Sequence, residues 1–252
     1  MPVILTTPAG VDRWLGAETP DALELQRPLP DQALRIVARG EKVDTMTLIP
    51  FEAEGVRGHL HRADDAGDGM VLTHGAGGNG DAPLLRAVAE AFQSAGVTLL
   101  RCDLPFRQQR PVGPPRPADS AKDRAGLRAA ATAVRSIVNR RVILAGQSYG
   151  GRQASMAADE PELVGLMLLS YPLHPPGKPA QLRTAHFPQI RTEAMFVHGA
   201  SDPFGLIKEI QTALRLIPAA HTLTVVDGAG QDLRRGRFDL SALTRELSQL
   251  LA

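Results

Sequence analysis

The sequence predicts an α/β fold, a doubly wound and mostly parallel sheet with helices on both faces. Two observations predict it. Short apolar runs of about four to eight residues alternate with longer segments of helical spacing, and the run at residues 163–170 is apolar almost throughout. A strand is apolar along nearly its whole length when helices cover both faces of its sheet. The length of 252 residues suits one such domain with a short appendage.

The appendage is the N-terminal segment. Residues 1–44 carry the only tryptophan, Trp14, and several prolines, but no long periodic segment. They are expected to form an extended arm with at most one short helix. We therefore predict two parts, an arm of residues 1–44 and a domain of residues 45–252.

Strands are predicted where apolar or β-favouring residues run between turn residues. The predicted strands cover residues 47–51, 56–61, 70–73, 97–101, 141–145, 163–170, 194–198 and 221–226. The first two flank Gly55, so we expect them to form a hairpin or the edge of the sheet.

Helices are predicted between these strands. They cover residues 82–95, 119–139, 150–159, 206–216 and 240–251. In the first, Leu85, Val88 and Phe92 share one face, and for the second we expect Asp119 or Ser120 to be the N-cap. Residues 107–117 and 171–188 are rich in proline and are predicted to be loops. The second is long enough to have a function.

Composition excludes several classes of protein. Lys and Arg number 28 and Asp and Glu number 27, so the net charge of +1 argues against a dedicated nucleic-acid binder. The single cysteine, Cys102, excludes an internal disulfide framework. No apolar run approaches the ~20 residues of a membrane-spanning helix, and the first residues do not resemble a secretory signal. A cytoplasmic protein is expected, with no membrane partner and no metal or cofactor motif.

The segment from Gly146 to Gly150 reads Gly-Gln-Ser-Tyr-Gly and lies between a predicted strand and a predicted helix. This is the context of a nucleophile elbow, in which a sharp turn raises a serine hydroxyl above the sheet. Glycine at both ends lets neighbouring backbones approach closely. The pattern predicts Ser148 as a nucleophile, with the N–H group of Tyr149 as one oxyanion donor.

A glycine-rich loop, His74-Gly75-Ala76-Gly77-Gly78, follows the predicted strand at residues 70–73. Such a loop, upstream of a nucleophile elbow, supplies a second backbone donor to the oxyanion. The predicted donor is the N–H group of Ala76. The alternative is an ordinary glycine turn.

Asp202 follows the predicted strand at residues 194–198. In the chain order serine, acid, histidine, it takes the acid position, whose role is to orient an imidazole. Asp202 could also be the N-cap of the next helix.

The expected histidine is missing. It should follow the last strand, but the loop there carries Gln231, and the only histidine after Asp202 is His221 at the start of that strand. Glutamine has no proton-accepting pKa near neutrality, so a serine beside it is a poor nucleophile. His174 or His186, in the long loop, could substitute, although such residues are more often solvated.

Two groups of arginines flank the predicted site. One loop is flanked by Arg101, Arg107, Arg110 and Arg116, and Gln231 is followed by Arg234, Arg235 and Arg237. They could form a basic rim for an anionic ligand, or a solvated surface balanced by nearby acids.

From about residue 45 onward the chain resembles a bacterial α/β-hydrolase-like family related to dienelactone hydrolases. The same family is similar to an animal testis-expressed protein and to a subunit of a chromatin acetyltransferase complex. The resemblance rests on HGAGGN at residues 74–79, AGQSYGGRQAS at 145–155, SYPLHPPGKPAQLRTAHFP at 170–188 and FVHGASDPFG at 196–205. It implies an α/β-hydrolase fold with Ser148 as nucleophile and Asp202 as acid, and it aligns Gln231 with the family's histidine.

The arm carries a second resemblance, through MPVIL at residues 1–5, DRWL at 12–15 and LQRP at 25–28. It resembles the C-terminal end of the SOS-response-associated peptidase family, without that family's N-terminal cysteine.

Together these features predict a serine hydrolase of ester-type bonds, acting on a small acyl substrate and impaired by Gln231. The alternative is a catalytically inactive binding or scaffold protein that retains the pocket.

Overall fold

The computed structural model describes residues 8–16, 20, 47–63, 67–158, 163–233 and 238–251. The chain divides into two units, Met1–Val43 and Asp44–Ala252. In the first unit, one helix is described, α1 (Pro8–Gly16), while the rest of the predicted arm lies outside the described residues apart from Pro20. In the described parts of the chain, no helix is both long enough and apolar enough to span a membrane.

The second unit is built on one eight-stranded sheet. Its strands are β1 (Thr47–Ala53), β2 (Val56–Arg62), β3 (Gly69–Thr73), β4 (Thr98–Asp103), β5 (Val142–Gln147), β6 (Leu163–Leu169), β7 (Glu193–Gly199) and β8 (His221–Val226). They lie in the order β1-β2-β4-β3-β5-β6-β7-β8. Strands β1 and β2 form an antiparallel hairpin, β2 pairs antiparallel with β4, and all other pairs are parallel. The predicted fold class is therefore confirmed.

Helices follow most of the parallel strands. They are α2 (Pro83–Ser94), α3 (Pro105–Gln109), α4 (Asp119–Val138), α5 (Tyr149–Ala157), α6 (Ile207–Leu214) and α7 (Leu240–Leu250), with a 3₁₀ turn at Phe187–Gln189. Each predicted helix is present within a few residues of its predicted bounds.

The helices cover both faces of the sheet, because consecutive strand residues point in opposite directions. In β3, Met70 and Leu72 pack in one core with α2 and α7, whereas Val71 packs in the other core with α4, α5 and α6. All three side chains are fully buried. The carboxyl ends of the parallel strands lie at one edge, where ligands bind in open α/β sheets.

Three local predictions were wrong. The loop predicted at residues 107–117 begins inside helix α3, which has Pro105 at its first turn. The N-cap of α4 is Ala118, while the Asp119 carboxylate accepts the N–H group of Arg116. Asp202 does not cap α6, which begins with Leu206 as its N-cap.

Candidate active site

Ser148 occupies the turn between β5 and α5 and has a strained backbone. Its φ is 51° and its ψ is −116°, a positive φ that a residue with a Cβ rarely adopts. Its N–H group donates to the carbonyl oxygen of Leu169 at 2.8 Å, which ties the turn to the end of β6. This conformation is the one that a nucleophile elbow requires.

The glycines of the motif permit two close backbone contacts. A Cβ on Gly146 would lie 2.5 Å from the carbonyl carbon of Gly150, within the turn itself. A Cβ on Gly150 would lie 2.4 Å from the carbonyl oxygen of His74, in the loop that follows β3. Both distances are shorter than real Cβ contacts, so glycine at these positions lets the turn close and the two loops meet.

His74 is buried and holds the loop after β3 in place. Its Nε2 accepts the N–H group of Leu104 at 3.1 Å, so the proton is on Nδ1, which donates to the carbonyl oxygen of Gly75 at 2.8 Å. Burial is the main cause that lowers the pKa of His74, in agreement with a neutral ring. The bond to Gly75 orients the next peptide group, so that the N–H group of Ala76 points away from His74.

Arg107 fastens the same loop from the other side. Its guanidinium is 5% exposed and donates to the carbonyl oxygens of Ala76, Gly78, Arg110 and Gly113. Every nitrogen of the guanidinium has an acceptor, so Arg107 holds two loops together and cannot belong to a basic rim.

The predicted rim fails at Arg110 as well. Arg110 forms an ion pair with Asp119, with an Nη2–Oδ2 distance of 2.5 Å. Arg234 and Arg235 lie outside the described residues. The clustering of arginines in the sequence was misleading, because it did not show that Arg107 binds backbone carbonyl oxygens and that Arg110 pairs with Asp119.

Gln231 lies in the loop after β8 and reaches the predicted nucleophile. Its Nε2 donates to Oγ of Ser148 at 2.7 Å and to the carbonyl oxygen of Ser170 at 3.2 Å. A carbonyl oxygen can only accept, so the Ser170 contact assigns the NH₂ group to this side of the amide. Gln231 is therefore a hydrogen-bond donor to the serine oxygen. Its own Oε1 is buried and has no hydrogen-bond partner among the residues that the structure describes.

Asp202 follows β7 and is fully buried. Its Oδ1 accepts the N–H group of Phe204 at 2.8 Å, whereas Oδ2 has no hydrogen-bond partner in the described parts of the chain. Nε2 of His198 lies 3.6 Å from Oδ2 but donates to the carbonyl oxygen of Gly205 at 2.7 Å. Burial raises the pKa of Asp202, because the carboxylate has lost its water and gained few donors.

The two loop histidines are engaged elsewhere. Nδ1 of His174 lies 2.8 Å from the carbonyl oxygen of Pro175, and Nε2 lies 3.3 Å from Oε2 of Glu209. Nε2 of His186 lies 2.9 Å from Oγ of Ser155. Neither residue lines the cleft above Ser148.

A cleft of about 790 Å³ opens above Ser148. The described residues that line it are Gly75, Ala76, Gly77, Gly78, Pro114, Pro115, Arg116, Pro117, Ser120, Gln147, Ser148, Tyr149, Arg152, Pro172, Arg183, Phe204 and Gln231. The volume is that of a small-molecule site. The cleft thus brings together Ser148, Tyr149, Gly75, Ala76 and Gln231, which the sequence singled out, while Asp202 is buried and does not line it.

Sequence reasoning missed three residues near this cleft. Arg152 stands four residues after Ser148, a spacing that puts both on one face of a helix, so this signal was available. Arg183 lies in the long loop, where no periodicity indicates direction. Asp123 is fully buried and accepts a hydrogen bond from the hydroxyl of Tyr149 at 2.7 Å. No local sequence pattern predicts this contact.

Comparison with known proteins places these features in context. Residues 66–250 match the family model described as an alpha/beta hydrolase domain. No curated protein matches the chain.

Solved structures are similar at low identity. A dienelactone hydrolase from Anabaena variabilis has a TM-score of 0.65 at 20% identity, covering 82% of this chain and 97% of that one. An alpha-beta serine hydrolase homologue from Coxiella burnetii has a TM-score of 0.63 at 19% identity, with coverages of 84% and 100%. Est1E from Butyrivibrio proteoclasticus has a TM-score of 0.60 at 14% identity, with coverages of 80% and 96%. At these identities the likeness concerns the fold.

Proposed function

The chain belongs to the α/β-hydrolase domain family, and from this premise we propose that its cleft is a serine hydrolase site for ester-type acyl substrates, slowed by Gln231. In the proposed reaction Oγ of Ser148 attacks the acyl carbon and a C–O bond forms. The carbonyl π electrons move to the oxygen, which the N–H groups of Tyr149 and Ala76 would stabilise. When the tetrahedral intermediate collapses, its C–O bond to the alcohol breaks and the leaving oxygen takes a proton from water, which also takes up the proton that Ser148 loses. A further water molecule then hydrolyses the acyl-serine ester, which releases the acid and restores the Ser148 hydroxyl.

The proton of the Ser148 hydroxyl limits this reaction. A triad histidine would accept it and pass it to the leaving alcohol. Gln231 is itself the donor in its 2.7 Å contact with Oγ, so it cannot take up the proton. This contact is the observation on which the proposal rests. General-base catalysis contributes about 100- to 10,000-fold, so we expect turnover lower by at least that range.

The acid position supports the same interpretation. Oδ2 of Asp202 is buried without a donor among the described residues, and under this proposal it is the group that the N–H of a triad histidine would satisfy. Asp202 would then be the acid of a triad that lacks its histidine.

The alternative is a binding or scaffold protein that retains the cleft without turnover. The donor polarity of Gln231 favours it, because the amide gives Ser148 no base and leaves the serine O–H free to donate to a ligand. Under this alternative the serine hydroxyl is a hydrogen-bonding group in a ligand pocket.

Labelling by a fluorophosphonate probe distinguishes the two. We expect slow labelling of the wild type, none in Ser148→Ala, and labelling at least about 100-fold faster in Gln231→His, because the imidazole supplies the base. Gln189→His makes the same exchange on the exposed 3₁₀ turn and should not change the rate. Labelling of Gln231→His alone would support the binding protein. Failure to label any of these proteins would exclude a serine hydrolase site.

Two resemblances stay predictions, the one to testis-expressed and chromatin-complex proteins and the one of residues 1–44 to the SOS-response-associated peptidase family. The boundary near residue 44 and a cytoplasmic location also stay predictions.

A further inference from the structure

The cleft above Ser148 is strongly basic. Three arginines line it, Arg116, Arg152 and Arg183, and no Asp, Glu, Lys or His is among its described lining residues. Arg116 is exposed at the outer rim, whereas Arg152 and Arg183 are half-buried. A pocket with several positive charges and no facing carboxylate focuses a positive field on whatever enters it.

One donor of the half-buried Arg152 side chain lacks a partner among the described residues. Its backbone N–H group donates to the carbonyl oxygen of Ser148 at 3.0 Å, which places it one helical turn from the serine. Its Nε is buried and has no hydrogen-bond partner among the described residues. Leaving a charged donor unpaired in a buried position is costly, and an oxyanion on a bound molecule would supply the missing acceptor.

Arg183 is held in position by its backbone. Its N–H group donates to the carbonyl oxygen of Leu173 at 2.8 Å, and its carbonyl oxygen accepts the hydroxyl of Tyr171 at 2.7 Å. The guanidinium makes one long contact, 3.5 Å from Nη1 to the carbonyl oxygen of Pro172. Burial, and then the charge of Arg152, lowers the pKa of Arg183, so the two guanidinium groups are near enough to repel each other.

Neighbouring groups do not neutralise this pair. His186 bonds to Ser155, and burial together with Arg152 and Arg124 lowers its pKa to about 4, which keeps the ring neutral near pH 7. Arg124 adds a further positive charge and donates to Oγ of Ser120. No ion pair joins Arg152 or Arg183 to a carboxylate within the described chain.

We infer that Arg152 and Arg183 bind an oxyanion, a carboxylate or a phosphate-type group, carried by the molecule that occupies the cleft. The inference rests on the proposed function for the position of the ester group, which would lie at Ser148. It therefore narrows the substrate class to short esters that carry an anionic group a few carbon atoms from the ester carbonyl. Ser148, Arg152 and Arg183 all line one cleft, so the ester and the anionic group of one small molecule would share it.

Binding of three related esters tests this. Isothermal titration calorimetry would measure monomethyl glutarate, which carries a carboxylate, methyl 4-phosphonobutanoate, which carries a phosphonate, and dimethyl glutarate, which is neutral. We expect at least one anionic ester to bind about tenfold or more tightly than the neutral one, since a charge-assisted hydrogen bond lost with the anion corresponds to at least that factor. The affinity should fall as salt is added. Comparison of the two anions identifies the preferred group.

Variants locate the site. Arg152→Gln and Arg183→Gln should each weaken binding of the preferred anion about tenfold or more and leave the neutral ester unchanged. Arg215→Gln, on an exposed arginine after α6 that does not line the cleft, is the matched control and should bind like the wild type. Circular dichroism would verify folding, and the comparison of esters on the wild type needs no variant.

Several results would overturn the inference. These are equal affinity for charged and neutral esters, no binding of either anion at millimolar concentration, or the same affinity in all three arginine variants. Two readouts on the wild type separate this inference from the proposed function. Anion selectivity without any fluorophosphonate labelling would count against the proposed hydrolase alone, whereas labelling without anion selectivity would count against the oxyanion site alone.

Discussion

Replacing Arg107 with methionine is expected to destabilise the domain more than any exchange of a surface arginine. Methionine keeps most of the apolar stem and removes all the donors. Four carbonyl oxygens then lose their partner, at 2.8 Å for Gly78, 2.9 Å for Ala76, and 3.1 Å for both Arg110 and Gly113.

The size of the effect follows from these contacts. Hydrogen bonds from a charged group contribute ~1.5–3 kcal/mol each, so four of them set an upper limit of several kcal/mol. Ala76 and Gly78 line the cleft, where water can enter and satisfy part of the loss. We expect the free energy of unfolding to fall by about 3–5 kcal/mol, which corresponds to the loss of about two of these four hydrogen bonds without replacement by water.

Urea unfolding followed by circular dichroism would measure this change. Arg110→Met is the matched control, because Arg110 is half-buried and paired with Asp119, and such pairs contribute about 1 kcal/mol or less. The reasoning would be refuted if Arg107→Met unfolded within about 1 kcal/mol of the wild type, or no more easily than Arg110→Met.

Two further predictions concern buried titratable groups. Burial raises the pKa of Asp202, so its ionisation costs the folded state stability as the pH rises through that pKa. Asp202→Asn keeps the Oδ1 acceptor and does not ionise. Its melting temperature should therefore exceed that of the wild type at neutral pH, and the difference should shrink in acid. A difference that does not depend on pH would contradict this. Burial and the charge of Arg101 lower the pKa of His61 from 6.5 to about 4. As the pH falls between those two values, the unfolded chain takes up a proton on His61 and the folded chain does not, so the free energy of unfolding of the wild type should fall. Urea unfolding at a series of pH values should show a smaller fall in the free energy of unfolding for His61→Gln. The same pH dependence in both proteins would show that His61 is not its cause.

Most of the fold could be predicted from the sequence because its signals are local. The apolar runs at β3 and β5 and the helical spacing of α2 depend on residues only a few positions apart. The turn at Ser148 was predictable for the same reason, since Gly146 and Gly150 mark it on both sides. Helix α3 escaped prediction because five residues in a proline-rich segment carry too little periodicity.

The roles of individual polar residues were less predictable. Arg107 and Arg110 stood in a run of arginines that suggested a basic rim, yet the first binds four carbonyl oxygens and the second pairs with Asp119. Their partners come partly from the loop after β3, about thirty positions earlier in the chain. Arg152 and Arg183 both line the cleft, but Arg152 lies in α5 and Arg183 lies in the long loop after β6. No local pattern therefore relates the two.

The sequence alone determined the order of strands and helices, the glycine-flanked turn at Ser148, and the absence of a histidine after β8. Each of these is a property of neighbouring residues or of the plain residue order. Only the tertiary structure decided that the amide of Gln231 donates to Ser148 across 83 positions of sequence, and that Oδ2 of Asp202 has no hydrogen-bond partner. The direction of a hydrogen bond depends on which distant donors and acceptors the folded chain brings together, and no local pattern encodes that.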